Sequence, residues 1–409
     1  DALTSDQVKS LTSAQLNALS SVQLQSLTTV AVAAMLTTQV AALSSVQLNN
    51  LGSEQLQALT AGQVRALSTG QINSLNTSQV ESLTTAQAQN LSSAQLNVLS
   101  STALQSIETV DLQALTSTQM QTLSATQLNK LSDEQVGAIT TVQIQSLTST
   151  QLNGLSSGVV QALDSVQVNA LTSTQVGGLS SATLNKLTVE QVADLTQATL
   201  VAIATGALQG VSTAQLNALD SAQVQQLSTS QVQALTSAQL NNVDVEQLAN
   251  LSSTQVQKLS SAQLNAMSST AIQALETGDV QAMSSTQIQS LNMAALNKLS
   301  SDQLQALAST QLQVLSSTQL NGFNSTALQA LTTGQINALS SSQVPGLTST
   351  FVNNLSSDQV NALQTSSLKL ITTAAISGVG TDQLNALNSV QVQALTSSQL
   401  QALTSSQLN

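Results

Sequence analysis

The 409-residue sequence has no Cys, His, Trp or Tyr, one Pro and two Phe. Without Cys there is no disulfide, reactive thiol or zinc–thiolate chemistry. Without His, general acid–base work would need carboxylates with shifted pKa values. The abundant Ser and Thr have no neighbouring base to activate them. Charge is also scarce, at 6% of residues, with 7 Lys+Arg against 19 Asp+Glu and a net charge of −12. That balance argues against nucleic acid or an anionic membrane surface as a partner. No apolar run is long enough to span a bilayer, and DALTSDQVKSLTS at the start shows no secretion signal. The expectation is a non-enzyme with no cofactor, no small-molecule substrate and no membrane insertion.

What is present is regularity. Apolar residues make up 41% of the chain, too many for the usual disordered segment, and they recur on a fixed eight-residue period. From Leu11 the sequence reads LTSAQLNA, LSSVQLQS, LTTVAVAA, and the register holds to the end. Position one of the octad is Leu, Ile, Val, Met or Phe from Leu3 to Leu403. Position six is aliphatic or Met from Val8 to Leu408, except at Ala88, and no charged residue occupies either. Positions two and three are mostly Ser or Thr, position five mostly Gln, and position eight small. There is no insertion or deletion, although loops tolerate them cheaply.

A single long helix cannot use this pattern. Eight residues advance about 800°, so the apolar stripe drifts about 80° per octad. A flat strand fails because spacings of five and three put Leu16 and Leu19 on opposite faces. One short helix per octad fits. Thr12 and Gln15, then Ser20 and Gln23, have the spacing of capping boxes, and Leu11 with Leu16, then Leu19 with Leu24, that of hydrophobic staples. The Gln amide is also free to donate to carbonyls of a neighbouring helix. Helices this short need stacking for stability, with positions one and six forming a linear core. The fold class is therefore an all-α solenoid of short capped helices, running as one continuous domain over 1–409. A β-solenoid is the alternative, disfavoured by one Pro and 16 Gly and by the helix-forming Ala, Leu and Gln.

A longer period of 56 residues is visible in LNKLSDEQVGA from Leu128, LNKLTVEQVAD from Leu184 and LNNVDVEQLAN from Leu240. Acidic residues at the cap position follow it, at Glu108, Asp164, Asp220 and Glu276. Seven octads make this block, which shifts phase at each duplication in a coil of two or three octads per turn and also suits a turn of 3.5 or 2.33 octads; the sequence does not choose among these. Preservation of the block under duplication suggests octads in near-equivalent surroundings, a screw without a privileged face.

Two acidic pairs, Glu108 with Asp111 and Glu276 with Asp279, are cation candidates; the simpler reading is an acidic capping box favoured by the helix dipole. The Ser/Thr rows invite ice or glycan binding, yet caps require the same residues. Pro345 falls inside a helical octad and should break it locally. TSAQLNAL and its copies resemble the Ser/Thr-x-Gln-Leu octapeptide tracts of very large bacterial surface proteins. That resemblance implies a cell-surface or extracellular filament, stalk or sheath, with copies of the chain itself or adjoining repeats as partners. Neither end has the polar cap that solenoids use, so the sequence reads as part of a longer chain or filament. A repeat surface that binds protein, glycan or ice is the second functional expectation.

Overall fold

The computed structural model describes residues 3–408. It is all-helical: fifty α-helices of four to six residues follow one another, one per octad, and the described residues contain no β-strand. The β-solenoid alternative is thereby excluded.

Each octad is built the same way. In the second, Thr12 (φ −74°, ψ 157°) is the N-cap of the helix Ser13–Asn17. Its hydroxyl accepts from the Gln15 N–H at 3.2 Å, and Gln15 Oε1 accepts from the Thr12 N–H at 2.8 Å. Ser20 and Gln23 close the same box at 3.3 and 2.9 Å. One such cap contributes about 1 kcal/mol. Reversal between helices needs only two extended residues, the apolar position one and the N-cap, as at Leu11 (φ −68°, ψ 139°) and Thr12. Among the described residues none, glycine included, has positive φ, which explains how the chain turns so often with so little Gly and Pro.

Pro345 does what its chemistry requires. Its octad holds a 3₁₀ turn, Val344–Gly346, in place of an α-helix. The register continues through it, because Gln343 still reaches the carbonyls of Leu312 and Leu315 at 2.9 and 2.7 Å.

The chain divides into two compact units, Asp1–Val211 and Ser212–Asn409. In the first, each helix packs mainly on the third helix along, as Ser5–Ser10 does on Thr29–Ala33 and Ala61–Arg65 on Thr85–Asn90. Positions one and six fill the interior: Leu96, Leu99, Leu104 and Ile107 are all at most 3% exposed. In the second unit the same arrangement buries Leu264, Met267, Ile272 and Leu275. Leu16 and Leu24 are buried, whereas Leu11 and Leu19 are half-buried, since the first coil packs against one neighbouring coil and not two.

Candidate functional site

The feature that decides the geometry is the position-five Gln. In the central octads of each unit it is almost fully buried, and both ends of its amide are used. Gln135 is 2% exposed. Its Oε1 accepts from the Ser132 N–H of its own helix at 3.2 Å. Its Nε2 donates to the carbonyls of Leu104 (3.0 Å) and Ile107 (2.8 Å), 31 and 28 residues earlier. Leu104 O, in the last turn of its helix, also accepts from the Ile107 N–H at 3.2 Å, so the Gln gives it a second donor and gives Ile107 O, beyond the helix end, a donor from the next coil. In the second unit Gln303 repeats the pattern with Ile272 and Leu275 at 2.9 and 2.7 Å. Glu could not do this, having no donor, and Asn is too short to span both bonds.

The same offsets fix the coil. A spacing of 28 residues is three and a half octads, so the 56-residue block is two whole turns. This decides for 3.5 octads per turn over 2.33.

A second clasp was not anticipated. Position five is not Gln at, among others, Val159, Thr183, Thr199, Ala271, Ala295, Ala327 and Phe351, and thirty residues before each of these seven stands an Asn, whereas Ala207 and Ala375 have Gly177 and Pro345 there. Asn153 is typical: its Nδ2 donates to Gly178 O and its Oδ1 accepts from the Ser180 N–H, both at 2.8 Å. Asn297 makes the same pair of bonds with Gly322 O and the Asn324 N–H at 2.9 Å. The Gln clasp reaches down from the upper coil, and the Asn clasp reaches up from the lower. Both claim the N-cap N–H, so they compete. At Asn17 with Gln47 and Asn217 with Gln247 the Asn takes the N–H, whereas at Asn361 with Gln391 the Gln keeps it. The Oε1 atoms of Gln47 and Gln247 are left buried without a partner. At Gln127 the displaced oxygen is met by Lys130 Nζ at 2.9 Å.

The Asn clasp also explains several glycines. Its target carbonyl belongs to Gly154, Gly178, Gly210, Gly322, Gly346 and Gly378 in six cases. A Cβ on Gly178 would lie 2.4 Å from Ser149 Oγ and 2.6 Å from its Cβ, while one on Gly137 would meet nothing. Gly178→Ala is therefore expected to lose about 1–3 kcal/mol through overpacking. Gly137→Ala, inside the helix Asp133–Ala138, should gain about 0.5–1 kcal/mol. Urea unfolding of the two variants checks the opposite signs. The clasps themselves are tested by a double-mutant cycle: Asn297→Ala should cost on the order of 1 kcal/mol, and adding Ala327→Gln should restore most of it. Strict additivity of the two changes would refute interchangeable clasps.

Neither acidic pair forms the capping box expected of it. Glu108 and Glu276 are N-caps with no side-chain cap bond and are exposed. Asp111 and Asp279 occupy position five and are 3% and 5% exposed. Thr85 Oγ1 donates to Asp111 Oδ1 at 2.8 Å, and Ser253 Oγ to Asp279 Oδ1 at 2.7 Å.

A coil of 28 residues also corrects the expectation of a screw without a privileged face. From Glu54 to Asp194 in the first unit, every Asp and Glu number leaves a remainder of 21 to 27 on division by 28. Across the second unit the remainders run from 18 to 27. From Glu54 on, each unit thus carries its carboxylates on about one third of its circumference, with Asp6 away from that edge, and Glu81, Glu108 and Glu134 of successive coils line one surface groove. Block duplication by two whole turns preserves such an edge automatically. Lys9 and Arg65, with remainder 9, lie well away from it.

Other sites are sparse. Among the described residues no three His, Cys, Asp or Glu side chains group as metal ligands, and no helix is long and apolar enough to cross a membrane. An apolar cavity of about 30 Å³, lined by Leu155, Val168, Leu184 and Thr199 among others, lies inside the first unit. Its volume would admit a water, but its apolar walls offer too few partners to hold one.

A family model for the ALTTAQ repeat matches residues 61–93, 104–141, 144–181, 200–237, 212–244, 243–277, 272–309 and 360–397. These segments span more than half of the sequence. The chain belongs to the ALTTAQ repeat family. No curated protein matches it. Each matched stretch of ALTTAQ repeats covers about four octads, slightly more than one coil, the smallest length that contains both partners of a clasp. The bacterial surface tracts named above remain a resemblance through the octapeptide alone.

Proposed function

We propose that this ALTTAQ repeat chain is a structural spacer, a non-catalytic stack of coils that forms or extends an extracellular filament, stalk or sheath. The observation that carries this reading is the uniformity of the coil junctions. From Gln39 to Gln407 the interior polar side chains bind neighbouring backbone at fixed offsets, and little interior chemistry is left over for a substrate. Stiffness follows from this, since bending a coil stack means breaking clasps and opening a dry core. A Cys-free, aromatic-poor composition offers few targets for oxidation and suits exposure outside the cell.

Electron microscopy of the purified chain tests the architectural half of the proposal: particles should be elongated and uniform in width. Seven coils at 8–10 Å each give on the order of 60–70 Å per unit. Compact, isotropic particles would overturn it. Protease shaving of intact source cells tests the location, with release of the repeat expected and full protection fatal to the extracellular assignment. The spectrum in the far ultraviolet should be strongly helical, which circular dichroism measures directly.

A further inference from the structure

At Asp111 and Asp279 the clasp is neither Gln nor Asn. Thirty residues earlier stand Glu81 and Ala249, so no Asn reaches up. In the next octad the amide nitrogen of Gln287 lies 3.0 and 2.9 Å from the carbonyls 31 and 28 residues before it, and four octads on from Asp279 that of Gln311 lies 3.1 and 2.8 Å from its own pair. The same offsets from Asp279 lead to the carbonyls of Leu248 and Leu251. An ionised carboxylate can only accept hydrogen bonds, and Asp is one methylene shorter than Gln. The place of the amide nitrogen is therefore faced by a carboxylate and two carbonyls, all acceptors. Asp279 Oδ2 is buried there without any hydrogen-bond partner.

In two other octads the fold sets a positive charge at this place. Thr183 and Ala295 also lack the Gln amide, and in those octads the ammonium groups of Lys186 and Lys298 donate to the equivalent carbonyls of Leu155 and Met267. The Asp octads have Ala114 and Ala282 at the lysine position, so no side chain supplies the charge.

We propose that a hard metal cation of the calcium class occupies the amide place at Asp279 and at its copy Asp111, bridging the carboxylate of one coil to the backbone carbonyls of the coil before it. The oxygen-only donor set of carboxylate, carbonyls and water suits such an ion. It does not require a cluster of acidic side chains, since backbone carbonyls supply most of the donors. The acidic edge raises the local cation concentration around both positions. The proposal adds a ligand to the structural reading and stands independently of where the protein is located.

Calcium titration of the full chain by isothermal calorimetry, in about 0.15 M NaCl to screen the edge, tests this. Saturable binding at two sites per chain is expected, with a rise in Tm of a few degrees at saturating calcium. The double variant Asp111→Gln, Asp279→Gln restores the amide clasp and should fold at least as well as the parent. It should lose the saturable binding, at least tenfold in affinity, and the Tm response. A control removing two other edge charges, Glu190→Gln with Asp302→Gln, should bind as the parent does. Equal binding by parent and Asp double variant would overturn the proposal, leaving diffuse attraction to the edge; so would a parent with no saturable binding at millimolar calcium.

Discussion

Gln135→Glu should be among the most damaging single substitutions in the molecule, costing about 3–5 kcal/mol at pH 7. The change is nearly isosteric, so packing is not its cause. It removes the donor that satisfies Leu104 O and Ile107 O and sets a negative charge against both in a site only 2% exposed. Gln135→Ala should be milder, since it orphans Ile107 O at about 1–3 kcal/mol without adding charge, while Leu104 O keeps the Ile107 N–H. The pH dependence separates the two. Burial against acceptors raises the folded-state pKa of the new Glu above its unfolded value of about 4.3. Its penalty is therefore absent below that value and develops as pH rises through and beyond it. Chemical denaturation at pH 4 and pH 7, followed by circular dichroism, should show the Glu variant recovering toward the parent in acid while the Ala variant does not. Equal loss at both pH values would mean that the charge is not what destabilises it. Because repeat arrays melt locally as well as globally, hydrogen exchange should place the damage in the coils around residues 104–135.

Leu96→Ala is expected to cost about 2–5 kcal/mol, the range for truncating a fully buried Leu. Leu96 is 0% exposed and faces the interior shared by successive coils. By contrast Val142→Ala, at a position 64% exposed, should stay within about 0.5 kcal/mol of the parent. The native Ala88 shows what a position-six Ala requires. It is also 0% exposed, and its helix Thr85–Asn90 packs against Ala61–Arg65 and Thr109–Ala114 more extensively than other neighbouring helices do. That octad is built around the small residue by closer approach. At Leu96 the coils are spaced by Leu on both sides and cannot close, so the cavity term remains. A cost below about 1 kcal/mol for Leu96→Ala would show that the interior is plastic.

Much of this was legible in the sequence because it is local. The octad, the box between Thr12 and Gln15, and the apolar positions all lie within six residues of one another, where cap spacing and hydrophobic pattern speak directly. Coil size is not local. The octad pattern is compatible with any number of repeats per turn, and only the 56-residue block narrowed the choice before Gln135 and its two carbonyls made it. The Asn clasp was written in the sequence as a pairing of Asn153 with Thr183, or Asn297 with Ala327, but the spacing of thirty has no meaning until the coil is known to hold 28. The acidic edge was hidden for the same reason: Glu81, Glu108 and Glu134 look scattered until the chain is wound. Asp111 was misread as part of a cap because the box was judged from spacing alone, and position five turns its side chain inward.

The reach of the clasp sets the order in which the molecule can be made. The clasps that join one coil to the next span about 31 residues, so a coil is complete as soon as the following one has emerged from the ribosome. Folding can advance as a zipper behind the moving chain, with little loop-closure entropy at each step. An array of any length could then assemble without ever having to find a distant partner.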